Sequence, residues 1–225
     1  MKLSRLELRP GASHQPKVYE IFERPYRLHQ EIWQLFADDP DRDRDFLYRL
    51  DQHRGRPRIY TLSSRRPADA QNLWRIQTKP FEPVLAPGDL LCFSVRINPT
   101  VKRDGKRHDV VMDAKTRLQE QDVPRSEWPP QAELVHEHCT AWLADRAERY
   151  GFELPGTIRA EGYEQHELRK HKHGRPIRIT TCDFQGLLRV TEPETFLAHV
   201  ERGLGPAKSF GCGLMLLARP RSGTD

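Results

Sequence analysis

Apolar residues recur along this chain with two periods, every second position in some stretches and every third or fourth in others. The alternation between the two rhythms lays out the elements. Residues 3–9 (LSRLELR) read as a short strand. A helix is expected at about 25–36, with Pro25 in a first-turn position where its missing N–H costs nothing. Leu28, Ile32, Leu35 and Phe36 give that helix one apolar face. Residues 46–51 (FLYRLD) and 58–63 (RIYTLS) predict two strands joined by the turn-prone HRGRP. A short helix near 67–73 and a strand near 74–82 complete a β-α-β-β-α-β order. The stretch KPFEPVLAPGD, with three prolines and a glycine, reads as a linker.

The same order then recurs. Residues 89–98 place Leu91, Phe93, Val95 and Ile97 on one face and Cys92, Ser94, Arg96 and Asn98 on the other, a half-buried strand. A long helix at about 130–150 carries Val135, Cys139, Trp142, Leu143, Ala147 and Tyr150 along one stripe. Residues 157–168 and 176–191 predict a long hairpin, 193–202 a helix and 213–219 a closing strand. Two successive units of this kind predict an α+β fold of tandem ferredoxin-like (RRM-like) domains. The first spans 1–85 and carries the helix at 25–36. The second spans 86–220, with a basic hairpin and a glycine-rich loop, and 221–225 is expected to be a disordered tail. Such a fold hosts many functions, and its RNA-recognition variants bind RNA on the sheet, so side chains have to decide.

Composition narrows the classes. The 225 residues include 37 Lys+Arg against 32 Asp+Glu, a formal charge of +5, and the pI is about 9.1. Charged residues make up 31%, and no apolar run approaches the roughly 18–20 residues of a membrane span, which predicts a soluble protein. The N-terminus MKLSRLELRPG lacks the apolar core of a secretory signal. Cys92, Cys139, Cys182 and Cys212 lie far apart without a C-x-x-C pair, which argues against zinc and for a reducing cytoplasm. Arg outnumbers Lys by about three to one. The guanidinium fork matches phosphate oxygens, which favours nucleic acid, although a GC-rich genome would raise Arg equally.

Three segments carry candidate chemistry. Gly203, Gly205, Gly211 and Gly213 fall within eleven residues, GLGPAKSFGCG, more than a helix cap and turn require. Lys208 and Ser209 at its centre are placed to meet a phosphate. It is not a P-loop, because GxxxxGK[ST] is absent. Tyr26 and His29 share one face of the first helix, turned from its apolar stripe, and a histidine there can exchange protons near neutral pH. In LRKHKHGRPIR at 168–178, Arg169, Lys170, Lys172, Arg175 and Arg178 occur with no acidic residue, an arm suited to duplex phosphates. Lys102, Arg103, Lys106 and Arg107 form a second basic turn around Asp-Gly, also a plain hairpin signal. His136 and His138 diverge on a helix, and His171 and His173 sit among cations, so no metal and no cofactor are expected.

These features together resemble a known group. The glycine loop fits G-h-G-x-x-x-x-x-G-h-G (h, hydrophobic), the hallmark of repeat-processing CRISPR endoribonucleases. YRLHQEIWQLF at 26–36, GLGPAKSFGCGL at 203–214 and RINPTVKRDGKR at 96–107 look like the type I-E (Cascade) branch. That resemblance implies a metal-independent cut at the 3′ base of the stem in precursor CRISPR RNA, by 2′-OH attack, leaving 2′,3′-cyclic phosphate and 5′-OH ends. It implies His29 as the proton-transfer residue, Tyr26 as its helper and the basic arm on the stem's major groove. As partners it implies the CRISPR repeat hairpin, retained as product, and other Cascade subunits, with no membrane. The alternative is a non-cleaving RNA-binding subunit of the same fold.

Overall fold

Alternation in the first half of the chain becomes a four-stranded antiparallel sheet. Its strands are β1 (Lys2–Leu8), β2 (Phe46–His53), β3 (Arg56–Ser63) and β4 (Trp74–Pro80), in the order β2-β3-β1-β4. The computed structural model describes residues 1–12, 15–23, 25–37, 43–168 and 177–220. Two helices, α1 (Pro16–Glu23) and α2 (Pro25–Gln34), lie between β1 and β2. Val18, Ile21, Leu28, Ile32, Leu35 and Phe36 bury against Leu6, Phe46, Tyr48, Ile59 and Trp74 of the sheet. The apolar stripe read from the sequence is therefore the packed face of α2.

The helix expected near 67–73 does not form. Asp69 takes the amide hydrogens instead: its carboxylate accepts from the backbone of Gln71 at 3.2 Å and of Trp74 at 2.6 Å. A short acidic side chain that bonds nearby N–H groups offers the backbone a turn in place of a helical ladder. Asn72, with φ 55°, completes that turn.

The second half builds a sheet from β5 (Leu90–Ile97), β8 (Phe152–Glu153), β9 (Arg159–Leu168), β10 (Ile177–Val190) and β11 (Met215–Ala218). The order is β11-β5-β10, with β8 and β9 both along the far edge of β10. Leu91, Phe93, Val95 and Ile97 are buried as their alternation predicts. Over them pack α4 (Gln131–Ala147) and α5 (Pro193–Arg202) through Val135, Cys139, Trp142, Leu143, Phe196 and Val200. Between β5 and α4 the chain forms a small hairpin, β6 (Thr100–Arg103) and β7 (Lys106–Asp109), and α3 (Val110–Glu120). Neither α1 nor α3 is predicted by the periodicity of the sequence. For α3 the local signal is a cap: the Asp109 carboxylate accepts from Val111 and Met112 at 2.9 and 2.8 Å.

The first half has a core of its own beneath its helices, and the other face of its sheet joins the core of the second half. Leu47 and Leu62, on the face of the first sheet turned away from its helices, belong to the same cluster as Leu204, Leu214 and Met215. Arg96 of β5 adds a polar pin. Its Nε and Nη2 donate to Asp183 at 2.8 and 2.7 Å, and Nη1 donates to the Leu50 carbonyl of β2 at 3.0 Å. No helix among the described residues is long and apolar enough to cross a membrane.

Candidate active site

The glycine-rich segment connects α5 to β11 and turns back on itself because its residues can take left-handed backbone angles. Gly203, Gly205, Gly211 and Gly213 have φ of 79°, 69°, 80° and 92°. Each is also short of room for a side chain. A Cβ on Gly213 would lie 2.7 Å from the Leu204 carbonyl oxygen, and one on Gly203 would lie 2.7 Å from a Leu47 methyl. On Gly205 and Gly211 it would meet Ile97 at 3.2 Å and Tyr48 at 3.3 Å. The loop is thus a close-packed junction between the halves, and backbone bonds from Leu204 N to Gly213 O (3.0 Å) and Gly213 N to Arg96 O (2.7 Å) close it.

At its tip a single 3₁₀ turn, Lys208–Phe210, meets α2 and β2. The Tyr48 hydroxyl donates to the Ser209 carbonyl at 2.9 Å, and Arg44 Nη1 donates to the Ser209 hydroxyl at 2.9 Å. Ser209, expected at a phosphate, holds the turn to the first half. Burial keeps the Tyr48 phenol protonated, far above its ordinary range. Neither Arg44 nor Phe210 carries a sequence signal, since each gains its role from a segment distant in the chain. An inward-facing Tyr48 did carry one, because a buried phenol needs a hydrogen-bond partner.

His29 faces this turn. Its ring centroid lies 6.3 Å from that of Tyr26, 6.0 Å from Trp33 and 6.1 Å from Phe210. Nδ1 is buried and has no hydrogen-bond partner among the described residues. Burial lowers the imidazole pKa below 6.5 and the Arg44 charge lowers it further, while the Ser209 backbone acts weakly in the opposite sense. The ring is therefore held in its neutral form at neutral pH, able to accept a proton. Lys208, half-buried, is likewise pulled below its ordinary value by burial and by the charges of Arg44 and Arg202. Arg44 beside a neutral histidine, with Lys208 next to Arg44, suits an anionic ligand such as a phosphodiester.

The remaining sequence candidates are spread out. Lys102, Lys106 and Arg107 are exposed around the β6–β7 hairpin. Arg103 is engaged: Nη2 donates to both Glu120 oxygens at 2.6 and 2.7 Å, with Asp113 3.6 Å from Nη1. Arg178 is exposed on β10, 3.9 Å from Glu167. Arg169, Lys170, Lys172 and Arg175, together with residues 221–225, lie outside the described residues. Between the halves a cleft of about 330 Å³ is lined by Leu28, Tyr48, Phe210, Arg96, His166 and Thr181, among others. Among the described residues no three His, Cys, Asp or Glu side chains gather as a metal site.

The chain as a whole is similar to known proteins. The family described as CRISPR associated protein matches residues 1–219. The Cascade subunit CasE of Escherichia coli (strain K12) is 31% identical over 202 residues, covering 86% of this chain and 91% of its own. The CRISPR-associated endoribonuclease Cse3 of Thermus thermophilus is 28% identical over 240 residues, covering 97% and 100%. A solved structure of CRISPR endoribonuclease Cse3 bound to 19 nt RNA superposes with a TM-score of 0.74 at 27% identity, covering 97% of this chain and 100% of that one. A second, Thermus thermophilus Cse3 bound to an RNA representing a pre-cleavage complex, gives 0.74 at 26% identity, with 96% and 98% covered.

Proposed function

This chain belongs to the CRISPR-associated protein family, and from that premise we propose that it is an endoribonuclease that matures CRISPR RNA and remains with its product as a Cascade subunit. The observation that carries the reading is His29. It is a neutral, partly buried imidazole at the junction of α2 with the glycine-rich turn, with Arg44 beside it, in a chain whose relatives include an endoribonuclease of known structure bound to RNA.

The substrate is a repeat hairpin cut at the 3′ base of its stem, without metal. RNA brings its own nucleophile, so the protein need supply orientation, proton transfer and charge stabilisation. The 2′-oxygen forms a bond to phosphorus as its proton leaves. The bond from phosphorus to the 5′-oxygen breaks, and that oxygen takes up a proton. The products are a 2′,3′-cyclic phosphate and a 5′-hydroxyl. His29 moves the proton, Tyr26 orients or stabilises the 2′-OH and the phosphate beside it, and Lys208 offsets charge on the phosphate. The residues of the basic arm, Arg178 among them, and Lys102, Lys106 and Arg107 hold the stem through its phosphates. The strand orders of the two sheets fit two ferredoxin-like units, 1–85 and 86–220, with the site where they meet.

Replacing His29 by alanine is expected to slow cleavage of a repeat hairpin in EDTA by about 10²–10⁴-fold while leaving its affinity nearly intact. A 2′-deoxy nucleotide at the cut should abolish cleavage by the unaltered protein. Tight binding without any cleavage by the unaltered protein would instead identify a non-cleaving RNA-binding subunit.

A further inference from the structure

The first sheet has two faces, and only one is used by its helices. Cross-strand pairing puts Arg49, Tyr60, Arg5 and Gln77 in one row of the other face, and Asp51, Arg58, Glu7 and Arg75 in the next. A third row, Leu47, Leu62, Leu3 and Lys79, lies toward the second half of the chain, where Leu47 and Leu62 enter the shared core. Beyond the Leu row Arg49 on β2 is buried, but the face over β3, β1 and β4 is open, and Arg56 and Arg75 at its far end are exposed.

Its charge is one-sided. Six basic side chains, Arg5, Arg49, Arg56, Arg58, Arg75 and Lys79, stand against two carboxylates. Both carboxylates are taken: Arg58 donates to Glu7 at 2.7 Å and Arg49 to Asp51 at 2.6 Å. Arg5 lies 4.0 Å from the same Glu7 oxygen and bonds the Gln77 side chain, so Arg5, Arg75 and Lys79 outnumber the charge available to them. In their midst Tyr60 is half-buried and presents its ring in a groove of about 340 Å³ lined also by Leu3, Arg5, Gln77 and Lys79. A second groove of about 260 Å³ continues from Tyr60 and Lys79 to Leu214–Leu217 at the edge of β11.

An aromatic ring on a sheet, surrounded by guanidinium groups, matches one ligand chemistry: an unpaired base stacked on the ring with its phosphates on the arginines. A duplex hides its base faces and would leave Tyr60 unused. We propose that this open face binds two or three nucleotides of single-stranded RNA continuing from the hairpin. The site is separate from His29, which lies on the helix side of the same sheet, and the proposal rests on the reading of the chain as a hairpin-binding protein only for the source of the strand.

The test compares a bare repeat hairpin with the same hairpin carrying an unpaired oligouridine extension, first at the 5′ end and then at the 3′ end. For the unaltered full-length protein one extension should tighten binding by about tenfold, the scale of one base stacked on an aromatic ring. The salt slope should steepen by about 0.7 for each phosphate engaged. Tyr60→Leu, and separately the pair Arg5→Ala with Arg75→Ala, should remove that gain and leave binding of the bare hairpin unchanged, which also shows that the variants fold. No gain from either extension, or a gain that survives both variants, overturns the proposal. Should the protein ignore the bare hairpin, the reading of its function fails instead. The face is then tested by oligouridine alone: binding that Tyr60→Leu abolishes sustains the proposal, and no binding ends it.

Discussion

Gly213→Ala should cost more than any other alanine substitution among the four loop glycines, and the structure says by how much. At φ 92° an L-residue occupies the left-handed region, a penalty of about 1–2 kcal/mol. Its Cβ would also stand 2.7 Å from the Leu204 carbonyl oxygen and 3.1 Å from the Leu204 nitrogen, both backbone atoms. Neither can move without loosening the hydrogen bonds by which Leu204 and Arg96 hold Gly213. Losing one of those adds about 1–1.5 kcal/mol, for a total of about 3 kcal/mol. At Gly203 the obstruction is the tip of Leu47, which can rotate, and at Gly205 and Gly211 the nearest atoms stand at 3.2 and 3.3 Å. Those three should cost about 1–2 kcal/mol each, mostly from the backbone angle. Urea unfolding of the four variants measures the order directly. In thermal melts Gly213→Ala should fall by about 6–12 °C, given the size of the chain. Equal losses at all four positions would refute the argument, since only the backbone angle would then matter and the close approach of Leu204 would count for nothing.

Two further outcomes concern charge. Burial and then Arg44 hold the His29 pKa below 6.5, so NMR titration of the ring should place it there, and Arg44→Ala should move it upward. Because the unfolded chain binds this proton more readily than the folded one, His29 makes stability fall as pH drops below 6.5. His29→Gln should remove that part of the slope. Asp45 behaves oppositely in pKa cause but alike in consequence: Arg65, bonded through Nε and Nη2 at 2.8 Å each, holds its carboxyl at about 2. Its stabilisation shrinks as pH falls below 3.8 and through 2, and Asp45→Asn should cost about 1–2 kcal/mol at pH 7 and only a small part of that at pH 2, where the carboxyl is half protonated. A difference as large at pH 2 as at pH 7 would show that the pair does not act through its charge.

Local pattern was enough for the elements whose burial follows from one period. The alternation of Leu91, Phe93, Val95 and Ile97 and the stripe from Val135 to Tyr150 are the core of the second sheet and of α4, as expected. Where polar side chains competed for backbone groups the pattern misled, as at Asp69, whose carboxylate makes a turn of a stretch that reads as helix. The candidate site was legible in its parts, His29 with Tyr26 on one helix face and four glycines in one loop. Their meeting was not, because it depends on Arg44, Tyr48, Ser209 and Phe210, which folding brings to His29 from distant parts of the chain.

Periodicity, glycine spacing and the placement of one histidine were thus determined along the chain itself, since each depends on neighbours within a few residues. Tertiary structure decided which charges are spent and which are free. Arg103 faces Glu120, Ser209 holds Arg44, and Arg5 and Arg75 share Glu7 with Arg58. A count of charges is a property of sequence. Their pairing depends on distances of a few ångströms between segments tens of residues apart, which only folding sets.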